Sequence, residues 1–91
     1  QNWTGGGWKK WLKGAAIVLG AGFVLSDIRL KENIEFAGIL YRGRRRYNTY
    51  QFNYIGYSIR HLGVMAQEVE LINPDAVFEV NGFKVVNYGA L

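Results

Sequence analysis

Polar and apolar positions fall into two regimes along the chain. Upstream, Trp8-Lys-Lys-Trp-Leu-Lys13 runs straight into the apolar stretch Gly14–Leu25. Continuous apolarity over that length predicts a helix across 8–25, set apart from the rest, although Gly14, Gly20 and Gly22 weaken it. Residues 1–7, with three consecutive glycines, read as a flexible lead. Ser26-Asp27 breaks the pattern, and either residue can cap the next element. Downstream the period shortens. Asn33–Tyr41 reads as a strand with Gly38 as a bulge. From Tyr47 to Tyr57, Tyr50, Phe52 and Tyr54 share one face while Thr49, Gln51 and Asn53 share the other, the period of a half-buried strand. Its expected partner is the strand before it. Leu62–Met65 begins another short strand. Ala66–Ile72 reads as one or two helical turns that end before Pro74, because the residue preceding proline avoids the helical region. Ala76–Val80 and Phe83–Asn87 flank Asn81-Gly82, which supplies the positive dihedrals of a two-residue hairpin.

The expected fold class is α+β: small antiparallel hairpins and one short helix, preceded by a separate apolar helix. The expected division is 1–25 and 26–91. Ninety-one residues with 49% hydrophobic content make one small domain or part of a larger one. A chain this short buries only about 60–65% of its unfolded surface. It has no cysteine and one histidine, so disulfides and thiolate zinc sites are excluded, and no carboxylate cluster stands in for them. No metal or cofactor is expected, and support from oligomerisation or a parent chain is. Gln1 reads as the start of a fragment or a processed product.

Charge is unevenly spread. The net +4 divides into +3 over 1–25, −1 over 26–36, +5 over 37–63 and −3 over 64–91. Basic segments facing an acidic end suit an intersubunit match as well as a nucleic-acid site. Arg42-Gly-Arg-Arg-Arg46, flanked by Tyr41 and Tyr47, suits phosphate contact and base stacking. The plainer reading is a solvated hairpin tip with Gly43 at its turn. The Trp-Lys segment resembles a membrane-interface anchor. As a helix, the 12 residues of Gly14–Leu25 would reach about 18 Å against a bilayer core of about 30 Å. Buried packing against protein is the plainer reading there.

Ser26-Asp-Ile-Arg-Leu-Lys-Glu-Asn-Ile34 carries the candidate chemistry. Serine is a poor nucleophile until a base takes its proton. Lys31 can be that base only if burial or a neighbouring cation lowers its pKa. Leu25, Ile28 and Leu30 offer the first influence and Arg29 the second. Five residues along an ideal helix part the two side chains by about 140°. The pair therefore needs a turn between them, or partners from two subunits. Spacing alone is a weak signal, since serine and lysine five apart are common.

This segment resembles the opening of the endosialidase-type intramolecular chaperone domain found at the C-terminal end of phage tailspikes and tail fibres. Two further segments stand in that family's order: Arg60-His-Leu-Gly-Val-Met-Ala-Gln-Glu-Val69 with Asn73-Pro-Asp-Ala-Val77, and Asn81-Gly-Phe-Lys-Val-Val-Asn-Tyr88. The likeness covers roughly 26–91. It implies a homotrimerising chaperone that assists folding of the preceding fibre and then cuts itself free before the motif serine. By position the bond is Leu25–Ser26, Ser26 is the nucleophile and Lys31 the general base. Arg60, His61, Gln67 and Glu68 match the second segment and are expected near the site or the trimer interface. The plainer readings are a partly buried histidine for His61 and a helix N-terminal turn for Gln67 and Glu68. The family's long trimerising helix has no counterpart before Leu91, which leaves residues 8–25 as a candidate source of association. The alternative is a non-cleaving structural or DNA-ejection protein of the virion that keeps the domain as an assembly module. Both readings imply virion or tail partners and assembly in a bacterial cytoplasm.

Overall fold

A computed structural model describes residues 18–20 and 22–91. The elements are strands β1 (Val18–Gly20), β2 (Phe23–Leu25), β3 (Lys31–Arg42), β4 (Arg45–Tyr54) and β5 (His61–Gly63), helix α1 (Ala66–Ile72), then strands β6 (Val77–Val80) and β7 (Phe83–Asn87). Single 3-10 turns cover Ile28–Leu30, Pro74–Ala76 and Tyr88–Ala90. Two antiparallel sheets result, one ordered β1-β2-β7-β6 and the other β3-β4-β5.

The downstream elements form as expected, except that the strand expected over Leu62–Met65 is His61–Gly63 and Ala76 belongs to the turn before β6 rather than to the strand. β3 and β4 pair as a hairpin, with Arg42 opposite Arg45 at the tip and a register break between Phe36 and Gly38. The arginine run is the exposed end of that hairpin. α1 covers Ala66–Ile72 and stops at Asn73, before Pro74. β6 and β7 join through Asn81 and Gly82, both at positive φ (51° and 83°), the backbone that a two-residue hairpin demands.

The expected helix over 8–25 is corrected where the structure describes it. Residues 18–20 and 23–25 are strands, and β2 pairs with β7 through Phe23–Asn87, Val24–Val86 and Leu25–Val85. Two causes favour the sheet. Gly20 and Gly22 sit at positive φ and break any helix, and Val18, Phe23 and Val24 are β-formers with an open strand edge to join. Trp8–Lys13 and the rest of the expected helix lie outside the described residues. Among the described residues no helix is long and apolar enough to cross a membrane.

Two buried clusters hold the sheets together. One contains Leu25, Phe52, Tyr54, Met65 and Val85. The other contains Tyr47, Val64, Ala66, Val69, Ala76 and Val86. Successive strand residues point to opposite faces, so β7 sends Val85 into one cluster and Val86 into the other. Val64 and Met65 make the same division in the segment before α1. That segment, the end of β2 and β7 therefore meet along one seam, and Ser26 lies on it.

Candidate active site

Ser26 follows the last residue of β2 and is 1% exposed. Its N–H donates to the Lys84 carbonyl (3.1 Å), and its own carbonyl accepts from the Ala66 N–H (2.9 Å). The serine backbone is thus held between β7 and the first residue of α1. The preceding carbonyl, that of Leu25, accepts a hydrogen bond from Tyr54 Oη at 2.9 Å. The Ser26 side chain shares a hydrogen bond with the Tyr88 hydroxyl, and Tyr88 Oη also accepts from the Val64 N–H at 3.0 Å. Burial pushes the Tyr88 phenol above its ordinary value, against those two hydrogen bonds.

Lys31 opens β3, directly after the Ile28–Leu30 turn. That turn is the interruption that the serine–lysine spacing requires. Lys31 is 6% exposed. Its Nζ donates to the Val64 carbonyl at 2.8 Å and lies 4.1 Å from the centre of the Phe52 ring. Burial pushes its pKa down to about 7, with the charge of Asp27 opposing. Arg29, the expected second influence, contributes nothing to this. Its guanidinium is paired with Asp27 instead. Lys31 is already buried within one chain, without a second subunit. Ser26 and Lys31 share no direct hydrogen bond; both reach Val64, Lys31 at its carbonyl and Ser26 through Tyr88 at its N–H.

Asp27 is fully buried and forms the electrostatic anchor of the turn. Its carboxylate accepts from Arg29 N, Nε and Nη2 (2.9, 3.0 and 2.7 Å), from Gln67 Nε2 (2.8 Å) and from Lys84 N (2.9 Å). Burial pushes its pKa up, but the hydrogen bonds from Arg29, Lys84 and Gln67 outweigh that and hold it well below the usual carboxylate range. Gln67 also accepts from the Ile28 N–H at 2.9 Å. Its side-chain amide therefore ties α1 to the loop that carries Ser26 and Lys31.

The second motif divides. Gln67 joins the site. His61 is close by: its ring packs 5.2 Å from Tyr54 and 5.8 Å from Phe52, centre to centre. Burial lowers its pKa and the Lys31 charge lowers it further. Arg60 is engaged elsewhere. It donates to the Asn33 carbonyl (2.6 Å) and to Glu35 (2.7 Å), bracing the part of β3 where Asn33 takes positive φ. Glu68 takes a hydrogen bond from Tyr50 Oη (2.7 Å) and lines a cavity of ≈ 240 Å³ with Arg46, Tyr47 and Leu71. Neither Ser26 nor Lys31 lines that cavity. Gln67 and Glu68 both lie in the first turn of α1.

Sequence reasoning does not reach Tyr54, Tyr88 or the Val64 backbone, and it treats Asp27 only as a cap. Tyr88 ends the third motif and Asp27 is the second residue of the first, so a motif signal exists for both. Tyr54 stands on the correct face of a strand, but the carbonyl it meets is not legible.

The chain matches the family model described as chaperone of endosialidase over residues 26–78. The match begins at Ser26, includes the first two motifs and stops short of the third. Comparisons with curated proteins and with solved structures return no match. With more than half of its length matched from the serine onward, the chain belongs to the chaperone of endosialidase family.

Proposed function

We propose that the chain is a phage intramolecular chaperone module that assembles with copies of itself and cuts its own backbone at Leu25–Ser26. The observation that carries this reading is the state of Lys31. An ordinary lysine is protonated at neutral pH and cannot accept a proton. This one is buried against Phe52 and Val64, and burial pushes its pKa down to about 7, so the free amine is available at neutral pH. A neutral amine that donates to the Val64 carbonyl keeps its lone pair for another partner.

The reaction balances without a cofactor. Lys31 takes the proton from Ser26 Oγ, and Oγ bonds to the Leu25 carbonyl carbon. The carbonyl oxygen takes the negative charge. When the tetrahedral species collapses, the carbon–nitrogen bond breaks and the lysine ammonium returns the proton to the departing Ser26 nitrogen. Leu25 is left as an ester on Ser26 Oγ. Water then hydrolyses the ester, freeing the Leu25 carboxyl group and restoring the serine hydroxyl. In this reading Tyr88 holds the serine oxygen, and Asp27 with Gln67 holds the turn.

One observation favours a second reading, a non-cleaving structural or ejection protein of the virion. Lys31 Nζ bonds to Val64 rather than to Ser26, an arrangement that a purely structural lysine would also adopt.

The experiment is the intact mass of the denatured protein, made with its natural upstream sequence, beside Ser26→Ala. Denaturation is needed because β2 stays hydrogen-bonded to β7 after a cut. A break at Leu25–Ser26 that disappears in the variant is the expected result. A single uncleaved mass in both chains under assembling conditions would falsify self-cleavage and leave the structural reading.

A further inference from the structure

We propose that Tyr54 is a catalytic residue that stabilises the negative charge on the Leu25 carbonyl oxygen during self-cleavage, an inference that rests on the cut at Leu25–Ser26. Tyr54 is fully buried at the end of β4. Its hydroxyl donates to the Leu25 carbonyl at 2.9 Å. Of the carbonyls in this core, that is the one whose oxygen becomes an anion when Ser26 attacks. The ring cannot swing away, because Phe52 packs edge-on at 5.4 Å and His61 at 5.2 Å. A donor aimed in advance at a developing charge, in a buried site, stabilises the transition state with no reorganisation at the moment of reaction.

The rest of the peptide is fixed in the same way. The Ser26 N–H, which becomes the leaving nitrogen, donates to the Lys84 carbonyl. The Ser26 side chain is held by Tyr88. Each reacting atom (carbonyl oxygen, amide nitrogen, serine oxygen) therefore has one partner supplied by a different element. Tyr54 keeps its proton throughout. The oxygen gains its charge when Oγ adds to carbon and loses it when the carbon–nitrogen bond breaks.

The test is the first-order self-cleavage rate of the full chain with its natural upstream sequence. Tyr54→Phe should cleave about 10²–10³-fold more slowly than wild type, with an unchanged pH midpoint. A second series places ring-fluorinated tyrosines of graded acidity at position 54, which keeps the shape and the ring. Cleavage should track phenol acidity. A folded Tyr54→Phe within about threefold of wild type, or a fluorotyrosine series with one constant rate, overturns the role of Tyr54; if Ser26→Ala is dead in the same assay, the Ser26 reading stands. Should Tyr54→Phe not fold, the fluorotyrosine series alone decides. A wild-type chain that never cleaves overturns both.

Discussion

Lys31 holds a proton less firmly in the folded chain than in the unfolded one, and that difference has two measurable consequences. The amine is the active form of the base, so the cleavage rate should rise about tenfold per pH unit below about 7 and level off above it. Lys31→Arg should not cleave at any pH up to about 10, because the guanidinium stays charged; intact-mass time courses across pH check both statements. The second consequence concerns stability. Below about pH 7 both states carry the proton, and the folded state bears the full cost of burying it. Between about 7 and the ordinary value of 10.5, the unfolded chain binds more protons, so this residue makes stability rise with pH. Urea midpoints at pH 7 and pH 9 should show that rise in Ser26→Ala, and Lys31→Met in the same background should lose most of it. The residue scale is also where the sequence is least complete as a guide. A lysine that follows Leu25, Ile28 and Leu30 is legible as a candidate for burial. Its carbonyl partner, 33 positions away, is not.

Among the elements, the segment from β5 into α1 carries the tightest geometry. Gly63 has no room for a side chain: a Cβ there would stand 2.9 Å from Tyr88 Oη and 3.5 Å from the Phe52 ring. That contact is steric, because Gly63 has no positive φ. Gly63→Ala should push the Tyr88 hydroxyl off Val64 and Ser26. The expected cost is about 1–3 kcal/mol of stability, together with slower cleavage. Removing the hydroxyl should relieve the clash. Tyr88→Phe should therefore cost less in the Gly63→Ala background than in wild type, a coupling that a double-mutant cycle in urea measures directly. Additive effects would mean that the two residues do not press on each other. The upstream strands show the opposite relation between element and sequence. Three glycines and an apolar run look the same in a poor helix and in a tight hairpin; the free edge of β7 decides between them by offering hydrogen bonds to β2.

For the whole molecule, the β3–β4 hairpin sets the shape. A 12-residue strand extends about 40 Å, close to the longest dimension of 38 Å. The sheet face that covers the core with Tyr50, Phe52 and Tyr54 continues along the hairpin as Phe36, Ile39 and Tyr41, which stand opposite Tyr50, Asn48 and Arg46. Phe36 is 62% exposed and Tyr41 61%. Aromatic side chains left at that exposure on a core-bearing face suit a protein interface, and on the proposed reading the partner is another copy of the chain. Phe36→Ser with Tyr41→Ser should shift sedimentation equilibrium toward the monomer. The melting temperature of the monomer should change little, because neither side chain is buried in it. Unchanged association would place the assembly surface elsewhere on the chain.

Local chemistry is enough to locate the β3–β4 and β6–β7 hairpins, the α1 boundaries and the arginine tip, because Asn81-Gly82, Pro74 and a period-two pattern act over a few residues and leave few alternatives. The first motif names Ser26 and Lys31 and implies a turn between them, and that turn is present. Tertiary structure alone decides the environment of the turn. Burial of Lys31 depends on Phe52 and Val64, clamping of the Leu25–Ser26 peptide on Tyr54, Lys84 and Ala66, and ionisation of Asp27 on Gln67 and the Lys84 N–H. These partners lie 21 to 58 positions away in the chain. Their meeting is a property of two sheets closing on one seam, to which no short stretch of residues is sensitive.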